Sequence, residues 1–248
     1  MAYLLVAHPG HELLLHGWIS RNNPVVHVLT DGSARSSDGR LGRTADLLRD
    51  LGAPKGAIFG RLSDTEAYAM ILERNTPLLV SLVAELAAQL EKDQPAIIVG
   101  DAAEGYNPVH DLCRLIAGAA IAMAGVSTKQ YEYAVVNHPH STDSASIVFE
   151  LDAVEYAAKM ERARGQAAAL ADIDALLLQH GADAYRTEAL YPVDEWTALG
   201  GDEPPLYERY GEERVAAHRY TQVIRCREHM LPLRDALRAE VEKRSCAF

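Results

Sequence analysis

The apolar positions of this chain fall into short runs separated by stretches with helical spacing. Tyr3–Ala7 is continuously apolar, as a strand covered on both faces should be. Val25–Leu29, Ala96–Val99 and Tyr131–Val136 read as further strands. Between them lie helical patterns over His11–Arg21, Arg43–Leu51, Asp64–Glu73, Pro77–Glu91 and Pro108–Ala124. Gly52 supplies a stop signal after the second, and Pro77 and Pro108 sit where a first turn tolerates them. This alternation predicts an α/β fold, a Rossmann-like and mostly parallel sheet flanked by helices.

Beyond about residue 140 the rhythm changes. Ser146–Glu150 reads as an added strand, and Val154–Leu170 and Glu212–Arg238 as long amphipathic helices. Glu195–Tyr210, with Gly200-Gly201 and Pro204-Pro205, carries loop chemistry. The expected organisation is a catalytic core over 1–140. A C-terminal strand and helical cap over 141–248 should pack on that core within the same domain.

Composition narrows the function classes. Lys plus Arg is 24 against 35 for Asp plus Glu, a formal charge of −11 over 248 residues. That balance, without a basic stripe, argues against nucleic-acid and membrane-surface partners. No apolar stretch is long enough to span a bilayer, and the N-terminal run lacks a basic leader. Three scattered cysteines without a C-x-x-C pair suit a reducing compartment, so a cytoplasmic protein is expected. The mixed charges of the C-terminal helix read as a solvated face, with a homo-oligomer contact as the alternative.

The ten histidines are the chemically informative feature. In open α/β sheets ligands bind beyond the carboxyl ends of the strands. Three polar loops occupy such places: His8–Glu12, Thr30–Ser33 and Asp101–Asp111. His8 and His11 flank Pro9-Gly10, which breaks any shared helical face but allows a sharp turn toward one centre. His110 opens a helix after a later strand. A zinc enzyme needs three protein ligands and an open position, which His8, His11 and His110 would satisfy. Ferrous iron is also compatible with such borderline nitrogen donors.

The order of an A-H-P-x-x-E strand end, a T-D-G loop and an x-P-x-H-D helix start resembles the PIG-L/LmbE-like family of zinc-dependent N-acetylglucosaminyl deacetylases. The resemblance covers roughly residues 1–140. It implies a metal-dependent hydrolase that removes an acyl group from the nitrogen of a small amino-sugar-type substrate through a zinc-bound hydroxide. His8 matches the first ligand histidine, His11 stands where the family has a ligand aspartate, and His110 matches the third ligand. Glu12 matches a buried structural glutamate. The sequence departs from the family at Gly10, the position of the general-base aspartate. Asn107 replaces the first histidine of the second motif, and Val109 the aspartate beside it.

Three neutral histidines are the ligand set that brings zinc-bound water to a pKa of about 7. Asp31, Asp101, Glu104 and Asp111, all on strand-end loops, are the candidate carboxylates, with Asp31, Asp101 and Asp111 favoured for catalysis. Tyr106, Asn107, Arg61 and His138 are candidate substrate contacts. Arg35, Arg40 and Arg43 could grip an anionic group, and His140 lies near His138. Dinucleotide, P-loop and serine-hydrolase signatures are absent. The departures keep two other readings open: a divergent metalloenzyme of the same fold cleaving another bond, or an inactive metal- or ligand-binding homologue.

Overall fold

A computed structural model describes residues 1–33, 40–139, 145–164, 177–199, 201 and 203–245. The strands are β1 (Ala2–Val6), β2 (Val25–Thr30), β3 (Lys55–Leu62), β4 (Ile97–Asp101), β5 (Lys129–Tyr133), β6 (Ile147–Glu150) and β7 (Thr187–Pro192). They form one sheet in the order β3-β2-β1-β4-β5-β7-β6. The first five pair with one another in parallel. β7 runs antiparallel to both β5 and β6. The α/β architecture expected from the alternating pattern is the one observed.

β1 is buried at every residue because helices cover both faces of the sheet. Its side chains alternate between two cores. Tyr3 and Leu5 join Leu29, Leu86, Ile116 and Leu237 on one face. Leu4 and Val6 join Trp18, Val26, Val28 and Leu190 on the other. Full burial of one such side chain contributes roughly 1.5–3 kcal/mol, so the central strands anchor the molecule.

The helices are α1 (His16–Asn22), α2 (Leu41–Leu51), α3 (Asp64–Leu72), α4 (Thr76–Asp93), α5 (Pro108–Ala124), α6 (Ala153–Arg164), α7 (Leu206–Ala216) and α8 (Leu231–Ser245). Their starts follow local chemistry. Ser63 and Glu66 form a reciprocal capping box on α3. Asn107 accepts from the Val109 amide at the start of α5, and Pro108 fills the first helical position.

Several elements differ from the sequence expectation. His11–Leu15 is a 3-10 turn, and α1 begins only at His16. β3 and β7 carry weak patterns and were not expected as strands. The single helix expected over Glu212–Arg238 is two helices, broken near His218, whose φ of 55° is left-handed, and resuming through a π turn at Cys226–Met230. α7 starts inside the expected 195–210 loop. The helix expected to Leu170 is described only to Arg164. Arg35 and His140 lie outside the described residues.

Between β1 and β4 the strand order reverses direction, so the loops leaving these neighbours diverge and open a crevice. His8 and His11 follow β1, and His110 follows β4.

Candidate metal centre

The crevice holds three imidazoles in mutual edge contact. Ring centroids are 5.3 Å apart for His8 and His11, 5.4 Å for His8 and His110, and 4.7 Å for His11 and His110. Gly10 makes the turn between the first two, at a φ of 108° that L side chains rarely adopt. The Glu12 carboxylate, wholly buried, accepts from the Gly10 amide at 2.7 Å and from the Thr44 hydroxyl at 2.7 Å. The tight turn is thereby held from within.

Hydrogen bonds orient each ring. His8 Nδ1 lies 2.8 Å from Thr30 Oγ1 and 3.0 Å from Asp64 Oδ1. Thr30 spends its own proton on the Ala7 carbonyl, so its oxygen accepts and His8 carries hydrogen on Nδ1. The lone pair is then on Nε2, which receives the Asn107 side-chain amide at 3.3 Å. His11 Nδ1 donates to Asp101 Oδ2 at 2.6 Å, freeing its Nε2 in the same way. His110 Nδ1 is buried with no hydrogen-bond partner among the described residues.

Electrostatics follow burial and charge. Burial lowers the pKa of His8, outweighing the opposite pull of Asp64. Burial, with the neighbouring His11, holds His110 well below the ordinary histidine value. For His11 burial also pulls downward, but the Asp101 charge and hydrogen bond prevail and raise it. Burial pushes Asp101 up, yet the His11 charge and bond, with help from Tyr133, bring it to about 2.

Asp101 is fully committed. Besides His11 it accepts from the Ala7 amide at 3.0 Å and the Tyr133 hydroxyl at 2.8 Å. One ligand atom each from His11, Asp101 and His110 lie within 4.8 Å of one another, a spacing that a single divalent ion could bridge. Nitrogen and oxygen donors, with a neutral His110 whose buried Nδ1 is unpartnered among the described residues, fit such an ion, and His8 is a third imidazole beside them.

The other expected site residues are placed as follows. Asn107 reaches the cluster, and Tyr106 borders it, its ring 6.4 Å from His110 and 40% exposed. Asp111 is buried and accepts from the Gly105 amide; burial pushes its pKa up to about 7. Asp31 accepts from the Ser33 amide two residues on, closing its own turn. Glu104 accepts from the Val135, Val136 and Asn137 amides, which ties down the loop after β5. Arg61, a candidate substrate contact, is exposed on β3 and pairs with Glu85 at 3.2 Å. The His138 ring packs edge-on against His180, 5.5 Å away, rather than in the cluster. Arg43 is exposed. Arg40 lies beside the first loop: a Cβ on Gly32 would fall 2.9 Å from its Nε and 3.1 Å from Pro9 Cδ.

Asp64, Thr30 and Tyr133 are functional candidates that sequence reasoning missed. The signal for Asp64 was its place in the first turn of a capped helix after a strand, visible only once β3 is recognised.

Solved structures of known proteins have a similar fold. The A40926 pseudoaglycone deacetylase Dbv21 matches with a TM-score of 0.55 at 15% identity, over 79% of this chain and 98% of that one. A deacetylase of the teicoplanin biosynthesis pathway matches with a TM-score of 0.52 at 13% identity, over 79% and 100%. The chain has the PIG-L/LmbE-like fold.

GalB, the 4-carboxy-2-hydroxymuconate hydratase of Pseudomonas putida KT2440, is similar to it too. Its TM-score is 0.53 at 18% identity, over 82% of this chain and 99% of that one. No protein-family model and no curated protein sequence matches the chain. Likeness to the PIG-L/LmbE-like fold is therefore one of structure. Among the described residues no helix is long and apolar enough to cross a membrane.

Proposed function

We propose that this protein is a metal-dependent hydrolase that removes an acyl group from the nitrogen of a small, amino-sugar-type substrate. The observation that carries the reading is the convergence of His8, His11 and His110 at the β1/β4 crevice, two of them backed by carboxylates. His8 and His11 present Nε2, and His110 completes the set. Zinc is the favoured ion and ferrous iron the other candidate. At such a centre a divalent metal supplies a hydroxide nucleophile near neutral pH and polarises an acyl oxygen.

The chain's own groups divide the remaining work. Asp64 and Asp101 hold the tautomer and pitch of two imidazoles, an arrangement that also raises ligand basicity. Asp101 has three donors on it, so it orients His11 rather than taking a proton. The Asn107 amide and the Tyr106 hydroxyl border the opening, where they can hydrogen-bond a substrate oxygen. Buried, unbridged Cys113 and Cys226 fit a reducing, cytoplasmic setting.

A second reading has support of its own. The carboxylates near the cluster are engaged with imidazole or backbone donors, and Gly10 stands where a carboxylate base is expected. One protein of this fold is a hydratase. Water addition or elimination at the same centre is therefore the alternative chemistry.

Metal analysis tests both readings. We expect about one zinc per chain, lost in His11→Ala and in His110→Ala. Full occupancy in both variants would overturn the ligand assignment. Zinc-loaded protein should release acetate from N-acetylated amino sugars. Retained zinc with no turnover across such a panel would favour the hydratase-type reading.

A further inference from the structure

The chain beyond residue 150 reaches back to the turn and helix that follow the first histidine loop through a buried ion pair. Lys159 of α6 and Glu188 of β7 lie 2.9 Å apart and are 3% and 1% exposed. The remaining hydrogen bonds of both fall on main chain. Lys159 Nζ donates to the Leu14 carbonyl at 2.8 Å. Glu188 accepts from the Gly17 amide at 3.0 Å and the Trp18 amide at 2.7 Å. These are first-turn N–H groups of α1, which no carbonyl within the helix can take. Gly17 also lets Leu151 pack against the start of α1, because a Cβ there would fall 2.2 Å from Leu151 Cδ2.

A buried pair of this kind is a poor source of stability, since desolvation costs several kcal/mol and an apolar pair of similar volume packs as well. What it adds is direction. The 3-10 turn and the start of α1 are pinned at Leu14, Gly17 and Trp18, beginning three residues after His11. On the other side the Tyr133 hydroxyl lies 3.3 Å from the His11 carbonyl and 2.8 Å from Asp101. α6 also carries surface pairs, Arg21 with Glu155 and Arg162 with Asp50; Arg21 donates as well to the Glu150 carbonyl. The Lys159–Glu188 pair differs by gripping the main chain that carries His11.

We propose that Lys159 and Glu188 are a positioning pair for His11, fixing the pitch of the Leu13–Trp18 stretch so that the imidazole meets its neighbours in the cluster. The proposal rests on the reading of His11 as a metal ligand.

The test replaces both partners, Lys159→Met with Glu188→Gln, so that no lone charge is left buried and the new side-chain amide keeps an acceptor for α1. Lys159→Gln with Glu188→Gln, which also leaves no lone charge and keeps a donor for the Leu14 carbonyl, serves if the first double variant does not fold. Two readouts are taken. Hydrogen exchange on metal-free protein compares peptides over 11–18 with those over β4 and α5. Chelator competition gives the zinc Kd, and the visible spectrum of the cobalt form reports ligand geometry.

We expect exchange over 11–18 to rise about tenfold while β4 and α5 keep their protection. The zinc Kd should rise about tenfold, with an altered cobalt spectrum, as for groups supporting metal ligands. Unchanged exchange over 11–18 with a zinc Kd within about twofold of wild type would overturn the proposal. A uniform rise that includes β4 and α5 would reduce the pair to a stability role and overturn it as well. His11→Ala separates the two claims. If it binds zinc as wild type does, the ligand reading of His11 fails, and the positioning role toward the metal fails with it. If only the Lys159 and Glu188 variants bind normally, the positioning claim alone falls.

Discussion

The Nδ1 of His11 lies 2.6 Å from Oδ2 of Asp101, a residue ninety positions further along the chain. The contact joins the loop after β1 to the last residue of β4 across the point where the sheet reverses its order. It makes Asp101 a support for an imidazole. Asp101→Asn removes the charge but keeps an amide that can still accept from His11 and from Ala7. We expect zinc affinity to fall 10- to 100-fold, the range typical of groups behind a metal ligand. Chelator competition measures it, and unchanged affinity would argue that Asp101 plays no part in holding the ring.

Gly10 occupies a backbone conformation with φ at 108°. Gly10→Ala should cost about 1–2 kcal/mol, because an L side chain in this region crowds its own carbonyl. Chemical denaturation of metal-free protein checks this through the midpoint at constant slope. The same strain bears on Gly10→Asp, the change that would restore a carboxylate at the family's base position. Such a variant must be assayed alongside Gly10→Ala, so that strain is separated from chemistry.

Asn107 serves both a helix and a ring. Its Oδ1 caps α5 through the Val109 amide at 2.9 Å, and its Nδ2 faces His8 Nε2. Asn107→Ala should lose about 1 kcal/mol of stability, the usual cost of deleting a cap. Asn107→Asp retains an acceptor for the cap and should fall within about 0.5 kcal/mol of wild type. Equal losses in the two variants would mean that the cap contributes little.

His27 gives the molecule an acid sensitivity far from the cluster's chemistry. It lies in the middle of β2 against Gly56, where a Cβ would come within 2.3 Å of its ring. Burial pushes its pKa down to about 4 from an ordinary 6.5, and its Nε2 has no hydrogen-bond partner among the described residues. The unfolded chain therefore binds more protons than the folded one between those values. This residue's contribution is intact above pH 6.5 and is lost as pH falls toward 4. The loss amounts to about 3 kcal/mol at the acid end. His27→Asn will lower stability at every pH but should flatten its dependence across that window. An unchanged slope, measured by denaturation at several pH values, would remove His27 as the cause.

Much of this architecture is legible in the chain. β1, β2 and β4 are buried on both faces and so read as apolar runs, and α5 announces itself with an Asn cap followed by Pro. β3 was hidden because it is an edge strand with half-exposed positions and two glycines, Gly56 and Gly60, in eight residues. β7, Thr187–Pro192, is a strand by virtue of what flanks it rather than by any alternation of its own. Histidines that follow strands were legible as a group because strand ends converge. The engagements of the carboxylates were not, since whether Asp101 meets a ring or Asp31 merely closes a turn depends on three-dimensional neighbours. Asp64 shows the point most clearly: a first-turn acid in sequence, a partner of His8 in space.

The antiparallel strand inserted between β5 and β6 has a consequence for synthesis. β5 ends at Tyr133, yet its outer edge is closed by Tyr191, Pro192 and Val193, about sixty residues later. During translation the parallel half of the sheet can assemble while that edge still offers unpaired amides and carbonyls to any other chain. A product ending before Thr187 would keep the edge open for good. The nascent protein is thus most prone to aggregate in the interval before β7 leaves the ribosome.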